Sequence, residues 1–184
     1  MKSFEEKTLS TEQIFTGKVV SLQVDEVELP NGKTSKREII KHPGAVAVIA
    51  LTGDNKIIMV EQYRKALEKN IVEIPAGKLE KGEKPEICAA RELEEETGYA
   101  CSSMEWLMSF YTSPGFADEL IHLYIAKGLY KKENPASADE DEFVSLMEIT
   151  VEEALELMEK QSIHDAKTVL AIQYLQLQEA MVGK

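Results

Sequence analysis

The sequence predicts an α/β layered fold, and three observations carry the prediction. Short apolar runs, residues 45–51 the clearest, read as buried strands. A helical stretch over residues 85–97 falls between such runs, and two further helical patterns follow residue 150. Mixed strands with a few helices to cover them make a layered α/β domain.

In chain order, residues 19–29 alternate in their second half, Asn31-Gly32 is a hairpin signal, and residues 37–41 form the returning strand. His42-Pro43-Gly44 breaks the pattern. A boundary is therefore expected there, with residues 1–43 as a small antiparallel β appendage and residues 44–184 as the main domain. Such a hairpin is marginal alone and needs a surface to pack on. Past the turn Thr52-Gly53-Asp54-Asn55, residues 56–63 form a strand, and residues 71–74 form another that Pro75 stops. Residues 104–111 and 120–126 read as strands around Thr112-Ser113-Pro114-Gly115, and residues 143–149 as the last strand. Thr150-Val151-Glu152-Glu153 has the form of a capping box opening a helix to about residue 160. A final helix covers about residues 164–179.

Charge narrows the function. With 21 Lys and Arg against 33 Asp and Glu, the chain carries −12, which argues against nucleic acid or an anionic membrane as partner. Two cysteines, Cys88 and Cys101, are too few for a disulfide framework and fit a reducing cytoplasm. The N-terminus turns acidic at once, unlike a secretory leader, and no apolar run is long enough to span a bilayer. His42, His122 and His164 lack metal-like spacing, and neither cysteine has a histidine to activate it.

The chemistry concentrates in residues 77–99. Pro85 suits a first helical turn, and Gly98 suits the left-handed stop after Thr97. At about 100° per residue, Ala89, Ala90 and Leu93 gather on one side. Glu92, Glu95 and Glu96 share the neighbouring arc, with Arg91 beside Glu95. Such an arc is usually a solvated acidic face. Carboxylates so crowded also suit a shared hard cation, Mg²⁺ above all. The rest of the stretch favours the cation. Gly77, five residues, Glu83, seven residues, then Arg91-Glu92-Leu93-Glu94-Glu95-Glu96-Thr97-Gly98 resembles the Nudix hydrolase box at every fixed position. Tyr99 stands where an aliphatic residue is usual, and its ring can fill an apolar slot.

The resemblance extends outside the box. Glu61-Gln62-Tyr63-Arg64, the Ser113-Pro114-Gly115 turn sixteen residues after Gly98, and the box together look like the ADP-ribose pyrophosphatase branch. That resemblance implies a helix–sheet–helix sandwich with a mixed sheet. It also implies metal-dependent hydrolysis of ADP-ribose to AMP and ribose 5-phosphate, with Mg²⁺ or Mn²⁺ as cofactor. Glu92, Glu95 and Glu96 with the Ala76 carbonyl would hold the metal, and Arg91 would orient Glu95. The acidic run 137–142 would supply the base, Glu140, with Glu142 on the metal side; the match leaves open which of the two acts. Arg64, Pro114 and Glu119 are substrate-side candidates. The resemblance further implies a homodimer in which the appendage crosses to the partner, making Arg37 and Glu38 candidate nucleobase contacts and Phe15 a stacking candidate. The alternatives are the same chemistry on a nucleotide sugar or NADH, or a non-catalytic ligand sensor.

Overall fold

The computed structural model describes residues 4–136 and 143–182. Its chain forms two compact units. One takes the residues up to Gly44 together with Phe110–Leu120, and the other takes Ala45–Ser109 and Ile121 onward.

In the first unit, β1 (Lys7–Thr16), β2 (Ser21–Glu28) and β3 (Thr34–Lys41) form an antiparallel sheet in that order. The sequence reading found β2 and β3 but assigned no strand at β1. The reason is physical: no residue of β1 is buried, so no period-two signal marks it. At the turn, the Gly32 N–H donates to the Leu29 carbonyl (2.8 Å) and the Leu29 N–H to the Lys33 carbonyl (2.7 Å). Pro30 and Asn31 are thus the central pair, and Gly32, at φ 79°, takes the left-handed position after it. The segment 110–120 joins this unit through its own bonds. The Ile40 N–H donates to the Phe116 carbonyl (2.8 Å), and the Asp118 carboxylate accepts from Lys41 Nζ (3.0 Å) and the His42 N–H (2.8 Å).

In the second unit, β4 (Ala45–Ala50) pairs in parallel with β10 (Leu120–Lys127) and antiparallel with β7 (Ala76–Lys78); β9 (Ser103–Tyr111) lies beyond β10. Every residue of β4 is buried. Successive side chains leave a strand on opposite faces, so uniform burial means both faces are covered. A second sheet sets β5 (Ile57–Arg64) between β12 (Val144–Ile149) and β6 (Lys69–Glu73). A two-residue ladder joins β8 (Tyr99–Ala100) to β11 (Tyr130–Lys131).

Among the described residues this unit has three helices. α1 (Pro85–Thr97) lays Cys88, Ala89 and Leu93 against Val46, Val48 and Ala50 of β4. Leu93 is fully buried, so truncation to alanine would cost about 2–5 kcal/mol. α2 (Val151–Glu159) begins with the expected capping box, Thr150 and Glu153 bonding each other's backbone N–H. α3 (Ala166–Val182) begins later than the sequence pattern suggested. The Asp165 side chain accepts from the Thr168 N–H (3.3 Å) and its carbonyl from the Val169 N–H (3.1 Å), which makes Asp165 the cap. Among the described residues no helix is long and apolar enough to cross a membrane.

Candidate active site

α1 carries the site. Pro85 opens it as expected, and Gly98 closes it at φ 71° with its N–H on the Glu94 carbonyl (2.8 Å). The apolar side differs in one residue from the sequence reading: Ala90 is exposed and Cys88 takes the buried place. Tyr99 fills its apolar slot, its ring within the core and its hydroxyl donating to Glu148 Oε1 (2.7 Å).

Glu92 and Glu96 are both buried, though they are carboxylates. A β-carbon built on Gly77 would lie 1.9–2.3 Å from the Glu92 carboxylate. Only glycine leaves that seat open, which explains the residue type at this position. Glu96 Oε2 accepts from the Ala76 N–H (3.0 Å), so α1 meets β7 at two adjacent residues, Ala76 and Gly77.

Arg91 lies among the remaining carboxylates. Its Nε and Nη2 donate to Glu83 (3.0 and 3.1 Å), and its Nη1 to Glu92 Oε1 (2.9 Å) and Glu95 Oε2 (2.8 Å). The bonds from Arg91 hold the Glu83 carboxyl at about 2, well below the ordinary carboxylate range. Bonding to Glu83 raises the Arg91 guanidinium in turn, so its charge is fixed. Arg91 therefore contacts Glu95, as the sequence reading had it, and ties Glu83 and Glu92 as well. Burial pushes the Cys88 thiol up to about 12, which leaves it an inert packing group. Glu94 bonds outward, to Lys132 Nζ (2.8 and 2.7 Å) and the Ala136 N–H (2.9 Å), holding the chain that precedes residue 137.

Arg64 ends β5, with its Nε and Nη2 on the buried Glu73 carboxylate (2.6 and 2.8 Å). The Glu73 bond raises its pKa first, and the charge of Glu96 adds to this, so Arg64 lies within electrostatic reach of the box. Sequence reasoning missed Glu73. A signal was available: one charged residue in the apolar run Ile71-Val72-Glu73-Ile74.

Arg64, Ala76, Arg91, Glu92, Glu95 and Glu96 thus fall in one unit. Phe15, Arg37, Glu38, Pro114 and Glu119 fall in the other. Arg37 is forked onto Glu6 (2.8 and 2.6 Å), while Glu38 is exposed. As neighbours on β3 these two project from opposite faces of the sheet. Phe15 is half exposed, its ring over Gly17. Pro114 follows Ser113, whose carbonyl accepts from the N–H of Phe116 and Ala117 (3.1 and 2.9 Å). Glu119 accepts from the Thr112 hydroxyl (2.6 Å) and lies 3.7 Å from His42 Nε2. Glu140 and Glu142 lie outside the described residues.

As for a metal, among the described residues no three His, Cys, Asp or Glu side chains converge closely enough to grip one as they stand. The cation among Glu83, Glu92 and Glu95 is the Arg91 guanidinium. The donor chemistry nevertheless fits a hard divalent ion. All the candidate donors are oxygens, and Gly77 leaves the Glu92 carboxylate its seat against β7.

Fold and glutamate helix together define a Nudix-type hydrolase. A model of the NUDIX domain matches residues 41–171, well over half the chain, and the chain belongs to that family, whose members generally use divalent metals. A model of the nucleoside diphosphate sugar hydrolase N-terminal domain matches residues 6–40. The chain is 72% identical over 183 residues to a methanol dehydrogenase activator of Bacillus methanolicus, covering 100% of this chain and 99% of that one. It is 63% identical over 181 residues to an ADP-ribose pyrophosphatase of Bacillus subtilis, covering 98% of each. An ADP-ribose pyrophosphatase of Mycobacterium tuberculosis is 39% identical over 142 residues, covering 77% of this chain and 69% of that one. A crystal structure described as an ADP compounds hydrolase shares the fold, with a TM-score of 0.83 at 21% identity, over 100% of this chain and 98% of that one.

Proposed function

We propose that this chain hydrolyses the diphosphate of ADP-ribose, with Mg²⁺ as its metal, to AMP and ribose 5-phosphate. The observation that carries this is the complete carboxylate helix, with Glu92 seated on Gly77 and Glu96 on the Ala76 N–H, in a chain 63% identical to the Bacillus subtilis enzyme. Glu92, Glu95 and Glu96 with the Ala76 carbonyl are the residues that would hold the ion, and Glu142 would assist. When bound, a divalent ion offsets the charge of the diphosphate and lowers the pKa of water. Arg64 presents a guanidinium to the diphosphate, and Arg91 keeps Glu83, Glu92 and Glu95 in place. Glu140, or Glu142, accepts the proton of the attacking water. Water adds across one P–O bond of the anhydride, its oxygen joining phosphorus and a proton returning to the leaving phosphate. Pro114 and Glu119 belong to the substrate side in this reading.

The assembly is a homodimer with residues 1–43 at its interface, where Phe15 and either Arg37 or Glu38, which leave β3 on opposite faces, serve the nucleobase. A strand with no buried residue that exposes Leu9, Ile14 and Phe15 supports this reading. Two free cysteines support a cytoplasmic location. The test of function is a hydrolysis panel over ADP-ribose, ADP-mannose, NADH, FAD and 8-oxo-dGTP with products identified. ADP-ribose as the preferred substrate, giving AMP and ribose 5-phosphate, is expected. Preference for a nucleotide sugar or NADH would move the substrate, and no turnover at all would end the enzyme reading.

The 72% identity to the Bacillus methanolicus protein supports a second reading, in which this chain also activates a methanol dehydrogenase. Dehydrogenase turnover with and without the chain tests it, and an unchanged rate removes it.

A further inference from the structure

Behind Arg64 lies a group of charges that the reaction itself does not require. Glu73, at the end of β6, is 1% exposed and takes the Nε and Nη2 edge of Arg64. The same carboxylate accepts from Lys167 Nζ on α3, and Lys167 is itself buried. Lys167 also donates to Asp165 Oδ2 (2.8 Å), whose second oxygen, Oδ1, is shut from solvent and has no partner among the described residues.

Stability alone explains this group poorly. A buried ion pair is commonly no better than apolar side chains of the same volume. Counting Asp165, the group sets two cations against two carboxylates, yet only Arg64 reaches toward the box. Lys167 is the second residue of α3, at the positive end of the helix dipole, where a cation is disfavoured. The arrangement makes sense if its product is a fixed direction for Arg64. Burial raises the Glu73 carboxyl, but the bonds from Arg64 and Lys167 outweigh burial and keep it ionised. Arg64, whose side chain is 41% exposed, is thereby clamped at its inner edge while Nη1 makes no hydrogen bond among the described residues. The Ala76 N–H that holds Glu96 is three residues past Glu73.

We propose that Glu73 and Lys167 are positioning residues: they lock the inner edge of Arg64 so that its outer edge is a preset receptor for the substrate diphosphate. This rests on the reading that the chain hydrolyses a nucleoside diphosphate compound. A long arginine side chain fixed before binding has less freedom to lose when the ligand arrives. Lys167 takes the share of the Glu73 charge that would otherwise draw Arg64 further inward.

The test is a double-mutant cycle on the full chain with ADP-ribose as substrate. Glu73→Gln keeps the shape and removes the charge. It is expected to raise KM about tenfold or more while kcat stays within about threefold, because binding and not the chemical step is affected. In an Arg64→Ala background the same substitution should change KM by less than about twofold. The Kd of the methylene analogue of ADP-ribose should follow KM. Should Glu73→Gln fold poorly, Glu73→Gln with Lys167→Met and Asp165→Asn removes the inner charges together without leaving one unpaired, and should still show the raised KM. An unchanged KM in a folded variant overturns the proposal, as do effects of Glu73 and Arg64 that multiply independently. Arg64→Ala with normal KM also overturns it, while ADP-ribose hydrolysis stands. A wild-type chain that cleaves nothing in the panel overturns both, and is seen before any variant is made.

Discussion

Gly77 and Glu92 are the pair on which the site's geometry turns at the residue scale. A methyl group at Gly77 would occupy the Glu92 carboxylate's place, so Gly77→Ala must displace that carboxylate or β7. We expect kcat to fall about 10²-fold, with half-saturation by Mg²⁺ shifted upward, read in a metal titration. Glu96→Gln is a different kind of change. The amide oxygen can still accept from the Ala76 N–H, so the fold is expected to survive while kcat falls about 10³-fold. Near wild-type turnover at saturating Mg²⁺ would remove Glu96 from the metal set. Glu83 gives a pH test. Its carboxyl lies at about 2 in the folded chain against an ordinary 4.5, so its stabilising contribution is full above pH 4.5 and is lost as pH falls toward 2. Glu83→Gln should therefore be less stable than wild type near neutrality, and the gap should close in acid. Denaturant titrations at about pH 6 and about pH 3 should show the gap narrowed but not closed at pH 3, which still lies above the folded value, and a pH-independent gap would contradict the pairing with Arg91.

At the scale of elements, what was legible in the sequence was what is local. α1 is bounded by Pro85 and Gly98, and its glutamates follow at fixed spacing, so start, stop and face could be read directly. The α2 capping box spans four residues and was equally visible. Thr150→Ala should cost about 1 kcal/mol and lower Tm by about 2–4 °C. It should leave kcat unchanged, since Thr150 holds only the helix start; thermal unfolding beside steady-state rates decides it. Elements without a local signature escaped. β1 buries nothing, and β7, β8 and β11 have two or three residues each, too few for a period. The clamp on Arg64 escaped for another reason. Glu73 and Lys167 are 94 residues apart, and no spacing rule joins residues so distant.

At the scale of the molecule, the exposed apolar side chains of β1 bear on assembly. Leu9, Ile14 and Phe15 are each about half exposed on a strand with no buried position. Light scattering should give twice the 20.6 kDa chain mass, and Ile14→Glu should give the single chain. A monomeric wild type active at nanomolar concentration would reduce Arg37 and Glu38 to surface charges. A further consequence follows from the parallel pairing of β4 with β10, in which Ala45 meets Ile121 and Ala50 meets Ala126. Some 76 residues of chain separate the partners, so one edge of the most apolar strand has nothing to pair with until the chain beyond residue 120 is present. Contacts so remote in sequence close late and slow folding toward the millisecond-to-second range. A nascent chain halted short of residue 120 would thus show Ala45–Ala50 to the cell as a bare sticky edge, a client for chaperones until β10 arrives.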